Sequence, residues 1–114
     1  MGELVQYIII NKSLGMSAGK LSSQVAHASV SVLEKVNQSD FEKWRNEGMK
    51  KVVLKVKDTE ELLTLFEKAK KKLPCALITD AGKTQIAEGS KTCFACGPIE
   101  ESEGQKYFKE LKLL

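Results

Sequence analysis

Leu4-Val5-Gln6-Tyr7-Ile8-Ile9-Ile10-Asn11 decides the fold class. These eight residues are mostly β-branched or aromatic and contain no breaker, so they read as a buried β-strand. Lys12–Gly15 follows as a loop, and Ser17 is placed to cap a helix over Ala18–Val36. At about 100° per residue, Leu21, Val25, Ala28 and Val32 form one narrow apolar stripe, the core face of that helix.

The same alternation continues. Asn37-Gln38-Ser39 interrupts the pattern, Ser39 or Asp40 caps a short helix through Glu47, and Gly48 stops it. Lys51–Lys57 reads as a second strand through Val52, Leu54 and Val56. Asp58 and Glu61 form a capping box for a helix with Leu62, Leu65, Phe66 and Ala69 at helical spacing. Lys70-Lys71-Lys72 reads as its solvated end, where cations suit the helix dipole. Pro74 leads into a strand at Cys75–Thr79, and a loop with Gly82 and Gly89 precedes a fourth strand, Thr92–Ala95, ended by Gly97-Pro98. A polar helix over Glu100–Leu111, weakened by Gly104, closes the chain. Strands alternating with helices predict one α/β domain over residues 1–114, with a four-stranded mixed sheet.

Composition sets limits. At 114 residues there is material for one core and not for two. No run has the length of a membrane-spanning helix, and the N-terminal pattern is not that of a signal peptide. Three cysteines are an odd number, which speaks against a disulfide framework and for a reducing, cytoplasmic setting. The net charge of +3 permits a nucleic-acid partner without requiring one. Cys93-Phe94-Ala95-Cys96 spells C-x-x-C, but residues three apart on a strand point to opposite faces, and no second ligand pair completes a metal site.

Two stretches carry chemistry. Gly15-Met16-Ser17-Ala18-Gly19-Lys20-Leu21 is not a P-loop, because only three residues separate its glycines and Leu21 follows the lysine. Instead Lys20, Gln24, His27 and Ser31 share about a 60° sector of the helix, beside the apolar stripe. Lys20 adds its charge to the partial positive charge of a helix start, an arrangement suited to a phosphate or a developing oxyanion. Asp80 follows the apolar strand Cys75–Thr79, at the strand end where α/β folds hold ligands, and Ala81-Gly82 turns the chain there. Thr84 and Gln85 come next.

Met16–Ser29 and Thr79-Asp80-Ala81-Gly82-Lys83-Thr84-Gln85-Ile86 together resemble the signature of the type 2 peptidyl-tRNA hydrolases, in that family's order and spacing. The resemblance implies an α/β fold with helices on both faces of the sheet. It implies an esterase that cuts the bond between peptide and tRNA, without metal or cofactor, as a homodimer. The positions matching the functional motif are Lys20, Gln24, Asp80, Thr84 and Thr92. Lys20, Asp80 and Thr84 are expected to be catalytic. Gln24, His27, Lys83, Gln85 and Thr92 are expected to bind substrate, with Lys12 and Lys91 also available to tRNA phosphate. Three positions depart from the family pattern: Lys83 in place of arginine, Asn11-Lys12-Ser13 in place of an acidic segment, and Ala87-Glu88-Gly89 without prolines. Two other readings remain, a non-catalytic RNA- or protein-binding module on the same fold and a nucleotide-binding enzyme.

Overall fold

The computed structural model describes residues 2–81, 87 and 89–114. The opening strand, β1 (Leu4–Asn11), is buried along its whole length. It carries apolar side chains in both directions because both faces of the sheet are covered. After a 3-10 turn at Lys12–Leu14 comes α1 (Ala18–Ser31), followed by a second 3-10 turn, Val32–Lys35. Next are α2 (Gln38–Asn46), β2 (Lys51–Val56), α3 (Thr59–Ala69), β3 (Cys75–Thr79), β4 (Lys91–Glu100), α4 (Glu101–Phe108) and β5 (Lys112–Leu113).

The sheet has five strands in the order β3-β4-β1-β2-β5, not four. β1 pairs parallel with β2 and antiparallel with β4, so the sheet is mixed. The additional strand holds only Lys112 and Leu113, which pair with Lys55 and Leu54. Two residues carry no readable period, and their strand character comes from the β2 edge they dock on. The polar helix before it stops at Phe108 rather than Leu111.

β4 also exceeds the expected Thr92–Ala95. It continues through Gly97-Pro98 to Glu100. A register shift lies opposite, between Val5 and Tyr7. Gly97 has φ 103°, and a Cβ there would stand 2.7 Å from the Val5 carbonyl oxygen. The glycine lets two backbones approach inside the strand instead of ending it. Pro98 costs no ladder bond at a place where the pairing is already irregular.

Val5, Tyr7 and Ile9 face Leu62 and Phe66 of α3 and Phe108 of α4. Ile8 and Ile10 face Ala28 of α1 and Val32 just beyond it. Helices therefore cover both faces. Cys96 belongs to the first cluster and Cys93 to the second, so the C-x-x-C thiols are on opposite sides of the sheet. The helix after β1 ends at Ser31, short of Val36, by tightening into the 3-10 turn. Asn37, rather than Ser39 or Asp40, caps α2 by accepting the Asp40 N–H at 2.8 Å. Half of the Asp58–Glu61 box forms as expected, with Asp58 accepting the Glu61 N–H, while the Glu61 side chain reaches one residue past the cap to accept the Lys57 N–H, each at 2.9 Å. Among the described residues no helix is long and apolar enough to cross a membrane.

Candidate active site

β1, β2 and β3 run in one direction, and β4 runs against them. Their C-terminal ends and the start of β4 therefore share one end of the sheet. α1 begins at that end and is pinned onto β1 by a buried pair. Gln6 of β1 donates from Nε2 to the Ser29 carbonyl at 3.0 Å, and the Ser29 hydroxyl donates back to Gln6 Oε1. Removing either partner from this closed buried exchange would leave an unsatisfied group, so it fixes the helix position.

Ser17 caps α1 by accepting the Lys20 N–H at 3.3 Å. This starts the helix so that Lys20 lies in its first turn. Asp80 sits immediately beyond β3. Its N–H donates to the Ser90 carbonyl at 2.8 Å, and its own carbonyl accepts from Gly89 N–H at 2.9 Å. The Lys20 ammonium donates to Asp80 Oδ1 in an ion pair whose side chains are only 10% and 4% exposed. Two charges so withdrawn from water stabilise one another. Asp80 is buried and Lys20 half-buried, so the pair is not part of an open polar surface.

One turn along α1, Gln24 is also buried. Its Oε1 accepts the Thr92 hydroxyl at 2.7 Å. Thr92 lies at the start of β4, so this bond ties the helix to the strand beside Asp80's own. Next to it, burial pushes the Cys93 thiol up to about 11, against a smaller lowering by the Thr92 hydrogen bond. Cys93 is therefore a neutral packed thiol. His27 is exposed, and its side chain makes no hydrogen bond or ion pair with a described residue. Lys91 donates to Thr79 Oγ1 at 2.9 Å, one residue before Asp80. Lys83, Thr84 and Gln85 lie outside the described residues.

The structure thus brings Lys20 to Asp80 and Gln24 to Thr92, and leaves His27 in solvent. Sequence reasoning overlooked Asn11. Its Nδ2 donates to Thr59 Oγ1 at 2.8 Å and to the Lys91 carbonyl at 3.0 Å, while its Oδ1 accepts from Ser13. A polar residue closing an apolar strand was the available signal. It holds the start of β4 against the end of β1.

A cavity of about 540 Å³ opens on the other flank of α1, between Leu21, Val25 and Val53. None of Lys20, Gln24, Asp80 or Thr92 lines it. The polar arrangement is a better guide to chemistry than that apolar volume, because only it combines a buried cation, a buried carboxylate and an oriented amide. Among the described residues no group of three or more potential ligands is placed to hold a metal ion.

Comparison with known proteins gives the arrangement a context. The family model Peptidyl-tRNA hydrolase PTH2 matches residues 4–114. A peptidyl-tRNA hydrolase of Methanococcus vannielii is 46% identical over 113 residues, covering 96% of this chain and 97% of its own. That of Methanopyrus kandleri is 46% identical over 112 residues, with the same coverage. That of Nanoarchaeum equitans is 43% identical over 114 residues, covering 96% and 99%. With β1, α1, the Asp80 strand end and β4 all inside the matched span, the chain belongs to the Peptidyl-tRNA hydrolase PTH2 family.

Proposed function

We propose that Lys20 and Asp80 form the catalytic pair with which this chain acts on its ester substrate. The chain hydrolyses peptidyl-tRNA, releasing peptide and free tRNA. In that reaction a water oxygen bonds to the ester carbonyl carbon, and the bond from that carbon to the ribose oxygen breaks. The ribose oxygen leaves with one of the water's protons, the other passes to solvent, and the peptide leaves as its carboxylate.

Three demands follow: a stabilised oxyanion, an oriented water and a fixed substrate. The Lys20 ammonium stabilises the charge that develops on the carbonyl oxygen. Asp80 holds that ammonium in place or takes the water's proton. Gln24, oriented by Thr92, and Thr84 hydrogen-bond the water or the 3′ end of the tRNA. His27, Lys83 and Gln85 contact the substrate around them. The enzyme works in the cytoplasm as a homodimer.

The buried Lys20–Asp80 pair is the observation that carries this assignment. A cation held by a single carboxylate, in a site mostly closed to water, exerts far more force on a developing anion than a solvated lysine does. The test is release of an N-acetylated aminoacyl group from charged tRNA, with free aminoacyl-tRNA as control. Lys20→Ala and Asp80→Ala should each lower turnover by about two orders of magnitude or more. Near-normal turnover in either folded variant removes that residue from the mechanism. Tight tRNA binding by the unaltered protein without any turnover would restore the reading as a binding module.

A further inference from the structure

The end of the sheet that carries Lys20 and Asp80 carries further lysines with no role in the chemistry. Lys91 opens β4 and is in register with Thr79. Lys12 follows directly on β1, and Lys57 directly on β2, each one residue past the parallel pair Asn11–Val56. Lys55 and Lys112 stand directly opposite one another across β2 and β5. Lys12, Lys55, Lys57 and Lys112 line a single cavity of about 330 Å³.

None of these five lysines makes an ion pair with a described carboxylate, whereas Lys43, Lys50, Lys70 and Lys106 all do. Two carboxylates share the cavity, but Glu61 is already turned to the Lys57 N–H at 2.9 Å. The other, Glu110, leaves the cationic excess in place. Like charges directly opposed across a strand pair are destabilising. The Lys55–Lys112 pair therefore costs stability in the free protein, and an anion bound between them would relieve that cost.

We propose that this row of lysines is the track for the phosphates of the tRNA acceptor arm. The track starts at the Lys20–Asp80 pair, crosses β4 and β1 by way of Lys91 and Lys12, and reaches Lys57, Lys55 and Lys112 at the β2–β5 edge. Four strand spacings separate β3 from β5, about 19 Å at about 4.8 Å each. That length spans several phosphates, since one strand of a duplex carries one about every 3.4 Å of axis. The proposal rests on the esterase reading above. It adds the direction in which the RNA leaves the site and the residues, Lys55, Lys57 and Lys112, that receive it.

The experiment compares unaltered protein with a Lys55→Gln/Lys112→Gln variant. Deacylated tRNA is titrated at several salt concentrations, and hydrolysis is followed for N-acetyl-aminoacyl-tRNA and for the same acyl group on adenosine alone. The slope of log affinity against log salt should become shallower by about 1 to 2, at roughly 0.7–0.9 for each phosphate that no longer meets a lysine. KM for the tRNA substrate should rise about tenfold or more, and the adenosine ester should show no matching loss. Unaltered slope and affinity in the variant, with normal hydrolysis by the parent protein, overturn the track and leave the esterase intact. If the parent hydrolyses neither ester but the variant still loses affinity and slope, the track stands and the esterase reading fails.

Discussion

The Thr92 hydroxyl donates to Gln24 Oε1 at 2.7 Å, joining the first residues of β4 to the second turn of α1 across 68 positions of sequence. With its oxygen engaged, the Gln24 amide is held in one rotamer. Thr92→Val preserves the shape and removes the donor, leaving a buried acceptor unsatisfied at a cost of about 1–3 kcal/mol. Melting temperature should fall by roughly 4 °C or more. Turnover should fall with it, while Thr92→Ser keeps both near normal. Calorimetry and steady-state kinetics on the two variants check this. A Thr92→Val protein with full turnover would separate Gln24 orientation from catalysis.

Lys20 and Asp80 should be coupled in stability as well as in activity. Lys20→Met takes the cation away from a carboxylate that is 4% exposed. Breaking a buried pair from one side costs about 3 kcal/mol or more. Adding Asp80→Asn removes the buried negative charge that Lys20 balanced, so the double variant should be more stable than Lys20→Met alone. Urea unfolding of both variants decides the point. Additive losses would mean that the Asp80 carboxylate does not depend on Lys20 for its place in the fold.

Much of the fold was legible because its cause is local. Leu4–Asn11 is apolar on both faces, and the Leu62–Ala69 spacing is helical, so strand and helix are readable without their partners. β5 was not legible, since two residues acquire strand geometry only from β2. The length of β4 was hidden behind Gly97-Pro98, which reads as a stop unless the irregular pairing with Val5 is known. Lys20 and Asp80 are 60 residues apart, and helical spacing alone could not join them. Only the resemblance to a known family assigned them to one functional motif. Even then, the burial of Asp80 was a property of packing that no motif encodes.

Gly104 illustrates the same limit. Read alone, it weakens α4, and alanine in its place should stabilise the helix by about 1 kcal/mol. In the fold it lies against Tyr7, and a Cβ there would fall 2.6 Å from Tyr7 Cζ. Tyr7 is 2% exposed and packed on Phe108, so it has little room to retreat. Overpacking of this kind costs about 1–3 kcal/mol and should outweigh the helix gain. Gly104→Ala is therefore expected to lower the unfolding midpoint in urea. A raised midpoint would show that Tyr7 moves freely and that helix propensity decides.

Cys93 supplies a prediction in pH. Burial raises its thiol from an ordinary 9.0 to about 11. Between those values the unfolded chain releases the proton and the folded chain keeps it. Folding stability therefore decreases as pH rises through that window. The contribution is fully present below pH 9 and is lost by about pH 11, at about 2–3 kcal/mol for the shift. Cys93→Ala removes the titrating group and leaves a small cavity, so it should be less stable than the parent near neutrality. The gap between the two should then narrow as pH rises from 9 to 11. Chemical denaturation of both proteins across that range measures it. Cys96 is raised too, by its hydrogen bond with Cys75, then by burial and by the Cys75 charge, but it is present in both proteins and cancels in the comparison. A gap that stays constant with pH would mean that the Cys93 thiol titrates alike in the folded and unfolded chain, and that its pocket admits water.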